Sequence, residues 1–304
     1  MEEDFERQLY FFTLTRSRHR IPNLLSILLR KRGALTLNNG SRLKFAPETK
    51  RGVTQLFLFS LKYGAEIQNR SGYWGFDPIR NQVLTPSGLR FDVRGFEHGI
   101  FAETFLYDIH FCDDLKGRTV VQAGGFVGDT ALHYAEQGAT VYSFEPGRSS
   151  YELASRNLEL NPTLSPKVVM RNFAIGRDGY VDFPQTDVVT GGGSVFDAGS
   201  PKTAQVRSIS IASILKEFHI EDPYLLDLDI KGKEFDVIED RDLGKFHRIR
   251  IEYTPDVTPN SGGRELLLER LREYGFGSPR IFKHNSGSYD LHRHGTIECS
   301  RSET

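Results

Sequence analysis

The sequence has little of several features that would define a function class at once. Its two cysteines, Cys112 and Cys299, are too few and too far apart for a disulfide framework or a zinc cluster. Neither sign of charge dominates, since 39 Lys and Arg residues stand against 40 Asp and Glu residues, so nothing indicates a nucleic-acid partner. No apolar run has the length of a membrane span, and the N-terminal segment MEEDFERQ is acidic where a secretory signal would be basic. We therefore expect a cytoplasmic protein in a reducing setting, with no integral membrane segment.

The remaining composition is that of a globular protein, with 38% hydrophobic and 26% charged residues in a chain of 304. We predict one large domain, residues 84–304, preceded by an N-terminal α/β extension, residues 1–83, that contributes substrate or oligomer contacts. A short apolar helix over residues 21–29 lies between basic clusters and has two interpretations. It lies on an anionic membrane surface, or it packs on the main domain with its arginines solvated. We favour packing because the apolar stretch is short.

Residues 118–146, RTVVQAGGFVGDTALHYAEQGATVYSFEP, have the strongest pattern in the chain. An apolar run, a glycine-rich turn, a helical segment and a second apolar run follow one another and end at Glu145. Glycine lets the backbone approach a ligand, the helix directs free amide groups at it, and an acid after the second strand accepts hydrogen bonds from a ribose diol. The pattern predicts a nucleoside pocket at the carboxyl edge of a parallel sheet; a plain structural turn is the alternative.

Strands and helices alternate over residues 118–274, and a strand pair at residues 279–283 and 288–293 follows. This order predicts an α/β fold with a doubly wound, mostly parallel, Rossmann-like sheet and a C-terminal antiparallel hairpin. The other predicted elements are helices over residues 101–111, 149–160, 209–219, 231–239 and 263–274, strands over residues 167–171, 224–230 and 247–253, and a hairpin over residues 83–93.

Two acids, Asp227 and Asp229, fall in the predicted strand at residues 224–230. Carboxylates are expensive in a strand buried on both faces unless they lie at its carboxyl end, where they face the ligand crevice. A spacing of two puts both on one face, which suits a cation, although no third ligand is evident and no metal site is predicted. The glycine-rich loop at residues 190–194 is interpreted either as a lid over the pocket or as a plain surface loop.

A series of motifs resembles the FkbM-type methyltransferases, class I enzymes that use S-adenosyl-L-methionine (SAM) and are mostly O-methyltransferases. The motifs, in order, are VQAG at 121–124, FEP at 144–146, NLELN at 157–161, Ala174 and LDIKGKE at 228–234. The resemblance covers roughly residues 84–293. It implies SAM bound across the glycine turn, ribose hydroxyls on the acid after the second strand, and adenine near the tip of the third strand. The implied cofactor-binding residues are Gln122, Gly124, Gly125, Phe126, Val127, Gly128, Glu145, Pro146, Asn172, Phe173, Ala174 and Asp227.

The sequence departs from the family pattern in three places, one of which is the segment before strand four, where residues 210–213, SIAS, lack the usual Asp. The first motif usually begins with Asp and contains Ala-Asn, whereas this chain has Gln122 and Gly125-Phe126. The strand-four motif usually reads Lys-Ile-Asp-Val-Glu-Gly, whereas residues 227–232 read DLDIKG. The charges at its first and fifth places are therefore exchanged, and we predict that Asp227 and Lys231 preserve an ion pair with its ends reversed.

The resemblance implies methyl transfer to a hydroxyl on a sugar or another small metabolite. An in-line displacement of this kind depends on alignment and on removal of the hydroxyl proton. Asp229 keeps the family position and is the predicted catalytic base, with Asp227 second and Glu252 and His284 as weaker candidates; the structural alternative for Asp229 is a cap on the next helix. We expect a small-molecule or glycan acceptor, no nucleic acid, and possible assembly into a homo-oligomer.

Two other function classes stay open. A degenerate family member would bind a ligand or partner without catalysis, which Gln122, Phe126 and Lys231 favour. A nucleotide-dependent oxidoreductase is a poorer interpretation, because the glycines do not follow the G-x-G-x-x-G spacing of dinucleotide-binding loops.

Overall fold

The computed structural model describes residues 18–29, 33–36, 42–45, 73–77, 80, 82–85, 87–92, 94, 98–105, 109–185, 189, 202–254, 263–283, 291 and 294–301. The chain divides into two compact units, Met1–Phe111 and Cys112–Thr304. The predicted boundary between residues 83 and 84 stays a prediction. Within these described ranges, no helix combines the length and the apolar character that crossing a membrane requires.

The first unit has a helix, a five-stranded sheet and a second helix. The strands follow chain order across the sheet. The last two strands of the sheet pair antiparallel, which confirms the predicted hairpin over residues 83–93. The second helix ends earlier than predicted, at Phe105, and the amide of Ile109 donates to the carbonyl of Glu103 at 3.1 Å. The elements are α1 (Arg20–Leu28), β1 (Gly33–Thr36), β2 (Arg42–Phe45), β3 (Tyr73–Asp77), β4 (Gln82–Leu84), β5 (Arg90–Asp92) and α2 (His98–Phe105).

The second unit is built on a seven-stranded sheet and has a small three-stranded sheet beside it. Its strands are β6 (Thr119–Ala123), β7 (Thr140–Phe144), β8 (Val168–Arg171), β9 (Ala174–Ile175), β10 (Gly179–Pro184), β11 (Thr203–Ile209), β12 (Pro223–Leu228), β13 (Arg248–Tyr253), β14 (Phe276–Phe282) and β15 (Gly295–Arg301). Its helices are α3 (Asp129–Glu136), α4 (Arg148–Glu159), α5 (Ile211–Glu217), α6 (Glu234–Val237) and α7 (Gly263–Glu273), with 3₁₀ turns at Ser165–Lys167 and Arg241–Lys245.

The large sheet has the order β14-β15-β13-β12-β6-β7-β8. All of its neighbouring pairs are parallel except the two that β15 makes, with β13 and with β14. The predicted doubly wound, mostly parallel sheet with an antiparallel hairpin is therefore confirmed. The order reverses beside β6, so the carboxyl ends of β6, β7 and β12 flank a switch point where ligands bind in folds of this kind.

Two predicted boundaries near the sheet were wrong. The final strand was predicted at residues 288–293 but runs over Gly295–Arg301, inserted between β13 and β14. Its residues 295–299 are buried, as expected for an inner strand. Because they include polar side chains, the sequence pattern did not indicate a buried strand there. The fourth parallel strand ends at Leu228, so Asp227 lies within it and Asp229 lies just beyond its end.

Candidate cofactor and active site

The glycine turn joins β6 to α3 and contacts the ends of two neighbouring strands. The amides of Gly124 and Gly125 both donate to the carbonyl of Phe144 at 3.0 Å. Gly124 has φ +85°, and a Cβ atom there would lie 2.0 Å from the carbonyl oxygen of Asp229. The amide of Asp229 donates in turn to the carbonyl of Ala123 at 3.0 Å. Only glycine fits this turn, which brings it against the first residue beyond β12.

Glu145 follows β7 and binds the turn through its carboxylate. One side-chain oxygen accepts the amide of Phe126 at 2.9 Å, and the other accepts the amide of Gly147 at 2.7 Å. Phe126 has φ +40°, which is unusual for a residue with a side chain, so this bond holds a strained backbone in place. Burial raises the pKa of Glu145 to about 7, although both backbone hydrogen bonds act in the opposite direction.

This carboxylate fits the predicted ribose contact. Each carboxylate oxygen can accept two hydrogen bonds. Each oxygen of Glu145 accepts one backbone amide, which leaves an acceptor position on each for the paired hydroxyls of a ribose. The backbone bonds also fix the orientation of the carboxylate before any ligand arrives.

The end of β8 lies beside Glu145. The side-chain amide of Asn172 donates to the carbonyls of Glu145 at 2.8 Å and of Pro146 at 3.0 Å. The next residue, Phe173, has the guanidinium of Arg207 over its ring at 4.5 Å, and Ala174 behind it is buried. The predicted ribose and adenine positions are therefore adjacent in space.

Val127 and Gly128 complete the turn and lead into α3. The carbonyl of Val127 accepts the side-chain amide of Asn157 from α4 at 2.8 Å. Gly128 has φ +79°, and its amide donates to the carbonyl of Gly125 at 2.8 Å. The NLELN motif thus acts partly through Asn157, which fixes the turn from the neighbouring helix.

Gln122 is buried in β6 behind the turn. Its side-chain oxygen accepts a hydrogen bond from the Ser143 hydroxyl of β7 at 2.8 Å. A Cβ atom at Gly125 would lie 2.5 Å from that hydroxyl, so the departure from Ala at this place makes room for the pair. Glutamine supplies hydrogen bonds but no negative charge to attract an ammonium group.

Asp227 is buried inside β12, with 1% of its surface exposed. The hydroxyl of Tyr134, from α3, donates to its carboxylate at 2.5 Å and accepts from Arg250 at 2.7 Å. Arg250 lies opposite Asp227 in the β12–β13 ladder and is buried as well. Burial opposes the charged form of Arg250, but Tyr134, Asp227 and Glu298 nearby raise its pKa above the usual value. The negative charge of Asp227, which replaces the lysine of the family pattern, is thus accompanied by the positive charge of Arg250 on the next strand. The predicted ion pair between Asp227 and Lys231 stays a prediction.

Asp229 has a different environment from Asp227. It is partly exposed, and its Cβ lies 3.6 Å from the position that a Cβ atom would take at Gly124. Its side chain therefore starts beside the glycine turn, at the carboxyl edge of the sheet.

A second group of titratable residues, Glu234, Glu252 and His294, lies at the carboxyl edge of the sheet. Of these, only Glu252 was a candidate from the sequence. Glu234 is fully buried and accepts the amide of Thr254 at 2.8 Å, and burial raises its pKa to about 7. Glu252, at the end of β13, also raises the pKa of Glu234 and lies 2.6 Å from the Nε2 of His294. Glu234 falls in the LDIKGKE motif, which could have drawn attention to it. His294 had no such signal, because the position of β15 was predicted wrongly.

Within the described residues, no group of three or more His, Cys, Asp and Glu side chains is arranged to hold a metal ion. The candidate base His284 and the predicted lid at residues 190–194 lie outside the described residues.

The strand order, the glycine turn between β6 and α3, and the acid after β7 define a class I methyltransferase, whose cofactor is SAM. A family model described as the methyltransferase FkbM domain matches residues 122–277, more than half of the chain. The chain belongs to this family, which confirms the resemblance read from its motifs.

Solved structures similar to this chain are distant in sequence. A magnesium protoporphyrin IX methyltransferase from Synechocystis PCC 6803 with bound SAM is 15% identical, with 62% of this chain and 72% of that chain covered and a TM-score of 0.37. TrmK from M. capricolum in complex with S-adenosyl-homocysteine is 9% identical, with coverages of 64% and 67% and a TM-score of 0.39. A SAM-dependent O-methyltransferase from Thermotoga maritima is 13% identical, with coverages of 64% and 63% and a TM-score of 0.37. No curated protein sequence matches the chain.

Proposed function

We propose that this chain transfers the methyl group of SAM to a hydroxyl oxygen of a sugar or another small metabolite in the cytoplasm. The observation that carries the proposal is the contact between the glycine turn and Asp229. It joins a nucleoside pocket to a partly exposed carboxylate at one sheet edge. Methyl transfer to an oxygen needs both, since the acceptor must be aligned and its proton must leave.

On the cofactor side, Glu145 accepts hydrogen bonds from the ribose hydroxyls, and the segment Asn172–Ala174 contacts the adenine. Gln122, Gly124, Gly125, Phe126, Val127 and Gly128 form the wall against the amino-acid part, with Pro146 behind Glu145. The amide orientation at the turn is fixed without the ligand by the bonds to Phe144 and Glu145, so little ordering is required on binding.

On the acceptor side, Asp229 takes the proton of the hydroxyl as its oxygen bonds to the methyl carbon. The bond between that carbon and the sulfur of SAM breaks in the same step and leaves S-adenosyl-homocysteine. We assign Asp227 a supporting role, because its carboxylate is already bonded to Tyr134 inside the sheet. Glu252, paired with His294, is the second candidate for the base.

The rival function is ligand or partner binding without transfer. Gln122 favours it, since this side chain lacks the charge that would attract the ammonium of SAM and its oxygen is bonded to Ser143. The loss of one charge-assisted hydrogen bond weakens binding by about 1–3 kcal/mol, which leaves room for a functional affinity.

Asp229→Asn separates transfer from binding. We expect this variant to bind SAM with unchanged affinity in calorimetry and to lose at least about a hundredfold in turnover once an acceptor is found by screening sugars and small hydroxylated compounds. Asp222→Asn is the matched control, because Asp222 is exposed just before β12 begins, at the opposite end of the same strand. Unchanged turnover in Asp229→Asn would overturn the assignment of the base. Binding of SAM with no transfer to any acceptor tested would favour the rival function.

A further inference from the structure

We propose that α1 attaches this protein to anionic lipid surfaces. Its apolar side chains point outward, since Ile21 is 67% exposed, Leu25 is 50% exposed and Leu29, just after the helix, is 61% exposed. Residues spaced by four lie on one face of a helix, so these three form a continuous apolar stripe. The expectation that this helix packs on the main domain stays a prediction.

The buried side of α1 includes a polar residue, Asn23. Asn23 lies on the face opposite the stripe, is 9% exposed, and donates from its side-chain amide to the carbonyl of Arg18 at 2.6 Å. A surface helix of a globular protein normally buries its apolar stripe and exposes its polar face. Here three large apolar side chains on one face are exposed instead, and such a contiguous exposed stripe marks an interaction surface.

The positive charge around α1 indicates that the partner of this stripe is an anionic lipid bilayer. Residues 7–47 contain nine Lys and Arg residues and no Asp or Glu. Because the whole chain has a net charge of −1, the remaining residues carry −10. The basic residues stand closely on both sides of the apolar stretch, as Arg16, Arg18 and Arg20 before it and Arg30, Lys31 and Arg32 after it. An apolar stripe between cationic ends is the pattern of a helix that lies in the interface of a bilayer with anionic headgroups.

Other occupants fit less well. A nucleic acid would use the positive charge but would leave the stripe of Ile21, Leu25 and Leu29 in water. A second copy of the chain would cover the stripe but would bring two segments of the same strong positive charge together. The bilayer satisfies both features at once, and the cytoplasmic leaflet carries the negative surface potential that attracts such a segment.

Flotation of the full-length protein with vesicles tests this proposal. We expect the protein to float with vesicles of phosphatidylcholine and phosphatidylglycerol in equal parts, to stay in solution with pure phosphatidylcholine, and to be released at high salt. Arg18→Ser and Arg20→Ser should each lower the partition coefficient about fivefold. The double variant Ile21→Ser and Leu25→Ser should lower it at least about tenfold.

Tyr180→Ser is the matched control, since Tyr180 is 71% exposed in the other unit and should not change partitioning. Cooperative thermal unfolding of each variant shows that it is folded. The proposal is overturned if the protein does not float with anionic vesicles, or if the apolar double variant floats as well as the parent. It is also overturned if sedimentation shows a dimer that the apolar variant dissociates, because a second copy would then cover the stripe. None of these outcomes depends on methyl transfer.

Discussion

Among single residues, Glu145 joins the fold to the chemistry most directly. Its carboxylate is buried, holds the strained Phe126 turn and still has acceptor positions for a diol. In the proposed contact, ribose hydroxyls donate to the ionised form, whereas the buried group with a pKa of about 7 is half protonated at neutral pH. The proposal therefore couples cofactor binding to the protonation of this one side chain.

Because of this coupling, SAM should bind more weakly in acid. Below a pH of about 7 the affinity should fall by up to about tenfold per pH unit, since the protonated carboxyl must lose its proton before it accepts both hydroxyls. Calorimetry in buffers with different ionisation enthalpies should show proton release on binding near neutral pH. Glu145→Gln should remove the pH dependence and weaken binding at least about tenfold. An affinity in the parent protein that is constant from pH 5 to about pH 8 would contradict the ribose contact.

The same pKa shift affects stability in the absence of ligand. Glu145 and Glu234 both have a folded-state pKa near 7 against an ordinary value of 4.5, so the folded state holds their protons more tightly than the unfolded state does. Their contribution to stability is complete below a pH of about 4.5 and is lost as the pH rises through 7. The free energy of unfolding attributable to these two groups should therefore fall by about 2 kcal/mol or more across this range. Urea unfolding at several pH values measures it, and Glu234→Gln should flatten the decline.

Between elements, α3, β12 and β13 are joined by the cluster of Tyr134, Asp227 and Arg250. The hydroxyl of Tyr134 lies between two buried charges on adjacent strands. Removing one member of such a group leaves the others without compensation, which is costly in a dry interior.

Tyr134→Phe should therefore destabilise the protein by about 2–4 kcal/mol although it removes one oxygen atom. Tyr142→Phe is the control, because Tyr142 is partly buried in β7 and its ring packs on Phe218 in either form. Urea unfolding of both variants measures the difference. Equal stabilities would mean that the hydroxyl of Tyr134 does not compensate the two charges.

The turn between β6 and α3 gives the second test at this scale. Gly124→Ala places a methyl group 2.0 Å from a backbone oxygen, whereas Gly117→Ala, at a similar positive φ of +75°, meets nothing within 4 Å. Both variants bear the backbone strain of about 1 kcal/mol, but only Gly124→Ala must displace the end of β12. We expect SAM binding to be lost in Gly124→Ala and kept in Gly117→Ala, as measured by calorimetry. Binding retained in both would show that the close approach to Asp229 is not needed.

How far the sequence could predict these elements depended on how local their causes were. The segment from Thr119 to Glu145 was predictable because its periodicity, its glycines and its terminal acid all lie within one stretch. Arg250 was not, since HRIRIEY is typical of a strand with one exposed face, and only distant side chains explain why this arginine is buried. The hydrogen bond of Asn157 to the turn and the pairing of His294 with Glu252 likewise depend on which segments meet. Contacts between distant segments produce no periodic pattern in the sequence, so they could not be predicted from it.

At the scale of the whole molecule, the chain combines a methyltransferase unit with a basic N-terminal segment. The family match begins at Gln122 and lies within the second unit, so the first unit is where properties specific to this protein are expected. A lipid-binding helix in the same chain as a transferase unit would hold the enzyme at the surface where its acceptor is made or used. The vesicle experiment tests this consequence, and its result does not change the assignment of the cofactor site.

The central claim is that the turn from Gly124 to Gly128 and Glu145 form a SAM site, and calorimetry tests it directly. SAM and S-adenosyl-homocysteine should each bind once per chain, NAD should not bind, and Glu145→Gln should weaken both while Asp222→Asn leaves them unchanged. If neither SAM nor S-adenosyl-homocysteine gives a binding signal at millimolar concentration, this site does not hold the cofactor.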